Sequence, residues 1–266
     1  MTRSSKPRIL VLGGSGLVGS AVVAELLHYP EEFDVHVTSR TNITGIVGPA
    51  SYQVELHDHD GSPGDAFVAF LNSVQPDYVV NCLRTDCDQP ACHYFVNATV
   101  PLLLELYSNA RVISISTNAL FPMSEKPWRI VDPLAPRTLY EVTKALGERD
   151  SQLRIRTSVI GFPLFQENPA RYIRSLSKPA EGPWNGVTNI ILARYIVEQL
   201  LTHNWSPRIV HLHSRPSDWK SIRRELLELV GCEPKVSREP YGSKLLEGSI
   251  CTTPLEEQIR ELRVPE

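Results

Sequence analysis

Cysteine is scarce and poorly spaced for metal or disulfide chemistry. The 266 residues hold five, Cys82, Cys87, Cys92, Cys232 and Cys251, with no CxxC pair. An odd set without paired spacing argues against a zinc site or a complete disulfide framework, so the expectation is reduced thiols in packing positions and no bound metal. No apolar run reaches the roughly 18 to 20 residues that span a bilayer. The segment Met1-Thr2-Arg3-Ser4-Ser5-Lys6-Pro7 runs into a strand without the apolar stretch of a signal peptide, which predicts a cytoplasmic protein. Charge of one sign is also lacking. With 27 basic and 30 acidic residues the formal net charge is -3, which favours neither nucleic acid nor anionic membrane and fits a small, locally recognised ligand. No repeat or low-complexity tract stands out. What is present is a hydrophobic fraction of 42% and a charged fraction of 21%, an ordinary globular balance long enough to bury a sizeable core.

The first half alternates strand and helix patterns. Short apolar runs rich in β-branched residues at Arg8 to Leu12, Asp34 to Thr38, Tyr52 to Leu56, Tyr78 to Cys82 and Arg111 to Ser116 suit a parallel sheet buried on both faces. Helical patterns fall at Leu17 to His28, Asp65 to Val74 and Ala91 to Ser108, with Pro101 expected to kink or split the last. That order predicts right-handed βαβ crossovers in an α/β, Rossmann-type doubly wound sheet. A further strand is expected at Arg154 to Ile160, a helix at Thr188 to Leu201, a strand at Ile209 to Leu212 and a helix at Trp219 to Val230. The division predicted is a nucleotide-binding domain over 1–161 and, over 162–266, a smaller C-terminal substrate-binding lobe interleaved with the end of the sheet.

Two patterns carry chemistry. Gly13, Gly16 and Gly19 follow the first strand and open the first helix, where the first permits a tight turn, the second lets backbone approach a pyrophosphate and the third lets helix pack on sheet. Gly13, Ser15, Gly16, Leu17, Val18 and Gly19 would form this cradle, with Cys82 and Leu83 as the facing wall. Arg40, near the end of the second strand where a carboxylate usually meets the adenosine ribose, favours a 2'-phosphate, so NADP(H) is expected over NAD(H). Asp58 is placed to meet the adenine amino group, with Asp60 as its competitor. The second pattern is Tyr140-Glu141-Val142-Thr143-Lys144, a phenol and an ammonium four residues apart on one helix face, begun by a Thr138/Glu141 capping box. Ser114-Ile115-Ser116-Thr117 ends the preceding strand and points hydroxyls at the same cleft.

With these motifs the chain resembles the extended short-chain dehydrogenases/reductases and, within them, the dTDP-4-dehydrorhamnose reductase-like group. The resemblance is carried by Gly13 to Gly19, Pro76 to Asn81, Val96-Asn97-Ala98, Ile115 to Phe121, Tyr140 to Glu148, Arg156 to Val159 and Trp184 to Thr188. It implies a catalytic triad of Thr117, Tyr140 and Lys144. Tyr140 would protonate a substrate carbonyl as the nicotinamide delivers hydride, Thr117 would hydrogen-bond the same oxygen, and Lys144 would hold the ribose and lower the phenol's pKa. Asn97 would bind helix backbone or support a relay water.

The chain also departs from that pattern. Asn118-Ala119 and Phe121-Pro122 replace residues common in the family, and Cys82-Leu83-Arg84 replaces small alanines in the coenzyme wall. Trp128, Arg171, Tyr172, Arg174 and Trp184 offer stacking surfaces and cations for the base and diphosphate of a nucleotide-sugar. The function implied is NADPH-dependent reduction of a 4-keto-6-deoxy sugar on a nucleoside diphosphate. Its rivals are an NAD-retaining sugar-nucleotide epimerase or dehydratase, and a coenzyme-binding regulatory subunit like that of methionine adenosyltransferase. The resemblance also implies a homodimer.

Overall fold

The run Ile9-Leu10-Val11-Leu12 has no polar face, and in the structure, a computed structural model, it lies at the centre of a sheet covered on both sides. The structure describes residues 6–39, 50–53, 63–85, 87–124, 126–165, 182–203, 206–229, 244–248 and 250–262. Within them the chain forms β1 (Arg8–Leu12), α1 (Leu17–Leu26), β2 (Asp34–Ser39), β3 (Ala50–Gln53), α2 (Pro63–Val74) and β4 (Tyr78–Asn81). Next come α3 (Pro90–Tyr94), a π-helical turn (Phe95–Thr99), α4 (Val100–Tyr107), β5 (Arg111–Thr117), α5 (Leu139–Leu146), β6 (Leu153–Thr157) and β7 (Val159–Ile160). The remainder gives β8 (Pro183–Trp184), β9 (Val187–Thr188), α6 (Asn189–Leu201), β10 (Arg208–His213), β11 (Ser217–Asp218), α7 (Trp219–Leu229), β12 (Ile250–Cys251) and α8 (Leu255–Arg260).

Eight strands line up as β12-β10-β6-β5-β4-β1-β2-β3, every neighbouring pair parallel. This is the α/β doubly wound sheet expected, and its order changes direction between β1 and β4. A crevice therefore opens beyond the carboxyl ends of those two strands, where register sets Leu12 beside Asn81. Strand alternation decides what each face buries. Ile9 and Val11 pack with Val22 and Leu26 of α1 and Leu192 and Ile196 of α6, whereas Leu10 and Leu12 pack with Phe67 and Leu71 of α2 and Leu104 of α4. Each such side chain contributes about 1.5–3 kcal/mol through burial, so the two apolar layers dominate the stability.

Where the elements differ from expectation, local chemistry explains it. The helix predicted over Ala91 to Ser108 is broken into α3, the π turn and α4. Pro101 has no N–H for the Asn97 carbonyl, and the chain widens just before it. A Cβ on Gly147 would stand 1.8 Å from that carbonyl oxygen, so only glycine lets the end of α5 close on the widened turn. The strand predicted over Arg154 to Ile160 divides at Ser158, whose carbonyl accepts from Val187 N at 2.9 Å, and β7 leaves the main sheet to pair with β9. β3 begins at Ala50, and the part of its predicted span beyond Gln53 lies outside the described residues. The short β8, β11 and β12 carry no periodicity, and the sequence did not announce them.

The second half does not stand apart. β10 and β12 extend the main sheet beyond β6, and α6 covers the same face as α1. Asn189 at the start of α6 donates to the carbonyls of Leu17 at 3.0 Å and Phe162 at 2.9 Å, fixing this helix against the glycine turn. A separate small core joins Ile160 and Phe162 to Ile222, Leu226, Leu255 and Ile259, with Trp184 and Trp219 against it. Among the described residues no helix is long and apolar enough to cross a membrane.

Candidate active site

The crevice is floored by the glycine turn. Gly13 has φ +77°, a conformation side chains resist, and its amide donates to Thr38 Oγ1 at 3.2 Å while Gly14 N donates to the Thr38 carbonyl at 2.8 Å. A Cβ on Gly19 would lie 2.2 Å from the Gly13 oxygen, so α1 can press against the turn only as glycine. Gly16 caps α1 without a side-chain bond, and the first turn holds no carboxylate. Free amides at a helix start with no competing anion fit a dinucleotide pyrophosphate. Across the crevice, Cys82 O and Leu83 Cδ2 each lie 3.3 Å from the position of a Cβ on Gly13, which makes this bulkier wall close-fitting. Arg40 and Asp58, assigned from sequence to the adenosine end, lie outside the described residues, as do Asp60, Arg171, Tyr172 and Arg174.

The three residues expected to form a triad lie at the end of β5, which closes on Thr117, and on α5, which carries Tyr140 and Lys144. The capping box forms as expected, with Glu141 N donating to Thr138 Oγ1 at 3.2 Å and Thr138 N to Glu141 Oε2 at 3.0 Å. Lys244 donates to the other Glu141 oxygen at 3.0 Å and to the Ala119 carbonyl at 3.0 Å, tying a late segment to the start of α5. Tyr140, in the first turn, has its phenol beside the Thr117 side chain. Burial pushes the phenol's pKa up, while the Thr117 hydroxyl and the charge of Arg84 pull it down. Thr117 Oγ1 also accepts from Ala119 N at 3.1 Å, so the hydroxyl caps the turn after β5 as well as serving the phenol.

Lys144 sits one turn on, with its Nζ donating to the Ile115 carbonyl at 3.1 Å. Burial, helped by the charge of Arg84 and opposed by Cys82 and Glu148, brings its pKa down to about 8. The Cys82 thiol beside it is pushed up to about 12 by burial and stays neutral. The sequence left Arg84 open between pairing with a phosphate and facing solvent. In the structure its charge acts on both Tyr140 and Lys144. Behind Lys144 a small cavity is lined by Asn81, Asn97, Ser114, Ser116 and Glu148 among others. Asn97 Nδ2 donates to Thr143 Oγ1 at 3.1 Å on the buried side of α5, and its Oδ1 has no protein partner.

Beneath this cleft lies a charged floor that the motifs did not single out. Arg156 grips Glu148 with two bonds, Nε to Oε1 at 2.9 Å and Nη2 to Oε2 at 2.7 Å, and Ser116 Oγ donates to Oε1 at 2.6 Å. Glu148 lies four residues beyond Lys144, the one signal in the sequence that it would reach the same region. The departure at Phe121 has a structural cause. Its buried ring stacks on Trp128 at 5.4 Å, meets His211 edge-on at 5.6 Å and lies under Arg156 at 5.5 Å.

The tryptophans expected at the substrate are held by the scaffold. Trp128 donates its indole N–H to the Pro122 carbonyl at 2.9 Å, and its backbone bridges to Leu246. Trp184 donates to Ser158 Oγ at 3.0 Å and leans on Trp219 at 5.4 Å. Three thiols are free among the described residues, and no cluster of His, Cys, Asp or Glu suits a metal.

The profile of the NAD dependent epimerase/dehydratase family matches residues 9–158. No curated protein matches the chain by sequence. Among solved structures, a dTDP-4-dehydrorhamnose reductase from Clostridium acetobutylicum superposes with TM-score 0.68 at 21% identity, over 96% of this chain and 98% of that one. The Bordetella bronchiseptica enzyme WbmH in complex with NAD+ gives 0.69 at 19%, over 95% and 96%. A Thermus thermophilus UDP-glucose 4-epimerase in complex with NAD gives 0.69 at 18%, over 96% and 93%. At these identities the likeness is one of fold.

Proposed function

The chain belongs to the NAD dependent epimerase/dehydratase family, within the extended short-chain dehydrogenases/reductases, and from that premise we propose that it reduces the 4-keto group of a nucleotide-activated 6-deoxy sugar with NADPH. The observation that carries the reading is the Thr117 side chain set beside the Tyr140 phenol at the mouth of a glycine-floored crevice, with Lys144 one helical turn away. The likeness in fold to a dTDP-4-dehydrorhamnose reductase along nearly the whole of both chains supports the substrate class. Arg40 supports NADPH from the sequence alone.

A nicotinamide coenzyme, which the Gly13 to Gly19 turn and Lys144 would hold, would supply the hydride for the carbonyl carbon. Thr117 and Tyr140 hold the carbonyl oxygen between two hydroxyls, and Tyr140 gives up its proton there. Arg84 stabilises the phenolate left behind, because its charge already favours that form. Lys144 binds the nicotinamide ribose, and its lowered pKa keeps its proton exchangeable near neutral pH. Asn97, with an open Oδ1 beside the cavity behind Lys144, is placed to hold a water through which the proton is restored. Exposed Leu106 and Tyr107 on α4 and Leu146 on α5 support a homodimer through these helices, which size-exclusion chromatography with light scattering would test.

The deciding experiment is NADPH oxidation with dTDP-4-keto-6-deoxyhexose. Stoichiometric formation of reduced sugar that vanishes in Tyr140→Phe supports the reading. Turnover of a sugar nucleotide without net coenzyme consumption would replace it with the epimerase or dehydratase reading, which the NAD-bound neighbours favour.

A further inference from the structure

The segment running from β4 into α3 is the crevice wall opposite the glycine turn, and it carries two cysteines that the catalytic arrangement does not use. Cys87 lies in the loop and Cys92 in the first turns of α3. Their sulfurs are 2.7 Å apart, with the Cys92 thiol donating to Cys87 Sγ. The loop is shaped to hold them there. Cys87 N donates to Thr85 Oγ1 at 3.1 Å, Gln89 N to Cys87 Sγ at 3.4 Å, and Cys92 N to the Gln89 carbonyl at 3.1 Å. Both thiols are partly open to solvent, as is Cys82, but the Cys82 thiol is held neutral with its pKa pushed up to about 12. A disulfide needs its sulfurs at about 2.05 Å, so closure asks for a small movement and no rebuilding of the loop.

We propose that Cys87 and Cys92 form a reversible redox site, a dithiol that a hydroperoxide converts to a disulfide and that a dithiol reductant reopens. The donor–acceptor sense assigns the roles. The bond to Cys87, with a smaller contribution from burial, holds the proton on Cys92, and Cys87 is the attacking sulfur. Its thiolate attacks the outer peroxide oxygen, the O–O bond breaks, and an alcohol or water leaves with a proton from solvent, giving a sulfenic acid. The sulfur of Cys92 then attacks the sulfenic sulfur, the S–O bond breaks, and hydroxide takes the Cys92 proton to leave as water. Two thiols and one hydroperoxide become one disulfide, one alcohol and one water. The bond would clasp the loop bearing Leu83 and Arg84 to α3, fixing the wall of the crevice in the position it already holds.

The sequence makes the test clean, because the tryptic peptide from Thr85 to Arg111 contains both cysteines and no other. The folded protein, treated with hydrogen peroxide and then alkylated, should give this peptide mainly as a species lacking two hydrogens, returned to the doubly alkylated form by prior dithiothreitol. Cys87→Ser and Cys92→Ser should each abolish that species. The clasped wild type should also unfold at a higher temperature than the reduced protein, a difference absent in both variants. A wild-type peptide that stays doubly alkylated, or that gains oxygen without losing the two hydrogens, would overturn the proposal. These readouts involve neither coenzyme nor substrate, so they stand independently of the proposed reaction.

Discussion

Two cations lie beside Glu148 in this molecule and are treated in opposite ways. Arg156, in the floor beneath the cleft, has its charge met by both oxygens of Glu148 at 2.9 and 2.7 Å, and it rests on the Phe121 ring. Lys144, in the wall above, meets a backbone carbonyl at 3.1 Å, and burial brings its pKa down to about 8. The first arrangement fixes structure, since the charge is met by a carboxylate inside the protein even though Nη1 of Arg156 is left without a partner. The second leaves an ammonium that is costly to bury and ready for an acceptor brought by a ligand. Stability and function are thus separated over a few residues, Lys144 to Glu148, at the end of one helix.

The largest effect expected is on chemistry. Tyr140→Phe should lower turnover about 10²- to 10⁴-fold while coenzyme affinity persists, and residual turnover within tenfold of wild type would remove the phenol from its role. Next, Glu148→Ala strands Arg156 and should cost about 3–5 kcal/mol in urea unfolding. Lys144→Met should do the reverse, keeping or raising the unfolding midpoint while weakening coenzyme binding. If both variants destabilise alike, the contrast between the two cations fails.

Titration sharpens the same contrast. Coenzyme affinity, followed by fluorescence, should hold steady below pH 8 and fall as Lys144 loses its proton above it, with no such limb in Lys144→Met. Stability moves the other way. Below about 8 both folded and unfolded Lys144 are charged and the burial penalty is fully present. From there to the ordinary value of 10.5 the unfolded chain holds a proton the folded one lacks, so this group makes stability rise with pH. The floor has a weaker acid counterpart. Burial lowers His211 to about 4, so as pH falls through the ordinary value of 6.5 the unfolded state gains a proton first and stability declines. Thermal melts of wild type and His211→Phe between neutral and acidic pH would show this as a slope lost in the variant. The smallest effect is expected of Trp184→Phe, which removes the bond to Ser158 at a cost of about 0.5–1.5 kcal/mol. A large rise in KM without loss of stability would instead make Trp184 a substrate contact.

Much of the fold was legible because its signals are local. The apolar runs of β1, β4 and β5, the glycine spacing and the Thr138/Glu141 box each depend on neighbours within a few residues, and each formed where expected. Within the candidate site, the meeting of Thr117 with Tyr140 could be anticipated only through the motif resemblance. Glu148, Arg156 and the Cys87–Cys92 approach were not legible. Nothing in Arg154 to Thr157 says that its second arginine turns inward, because that depends on a carboxylate delivered by the end of α5. The division at Ser158 and the short β8, β11 and β12 were hidden for the same reason, since two-residue strands have no period of their own.

The sequence by itself determined the element order, the glycine turn and the pairing of phenol and ammonium on one helix face, because backbone conformation and helical periodicity act over a few residues. Tertiary structure alone decided which charges are neutralised and which are left available. Burial and the approach of distant side chains set that balance, and neither is a property of any short stretch of chain.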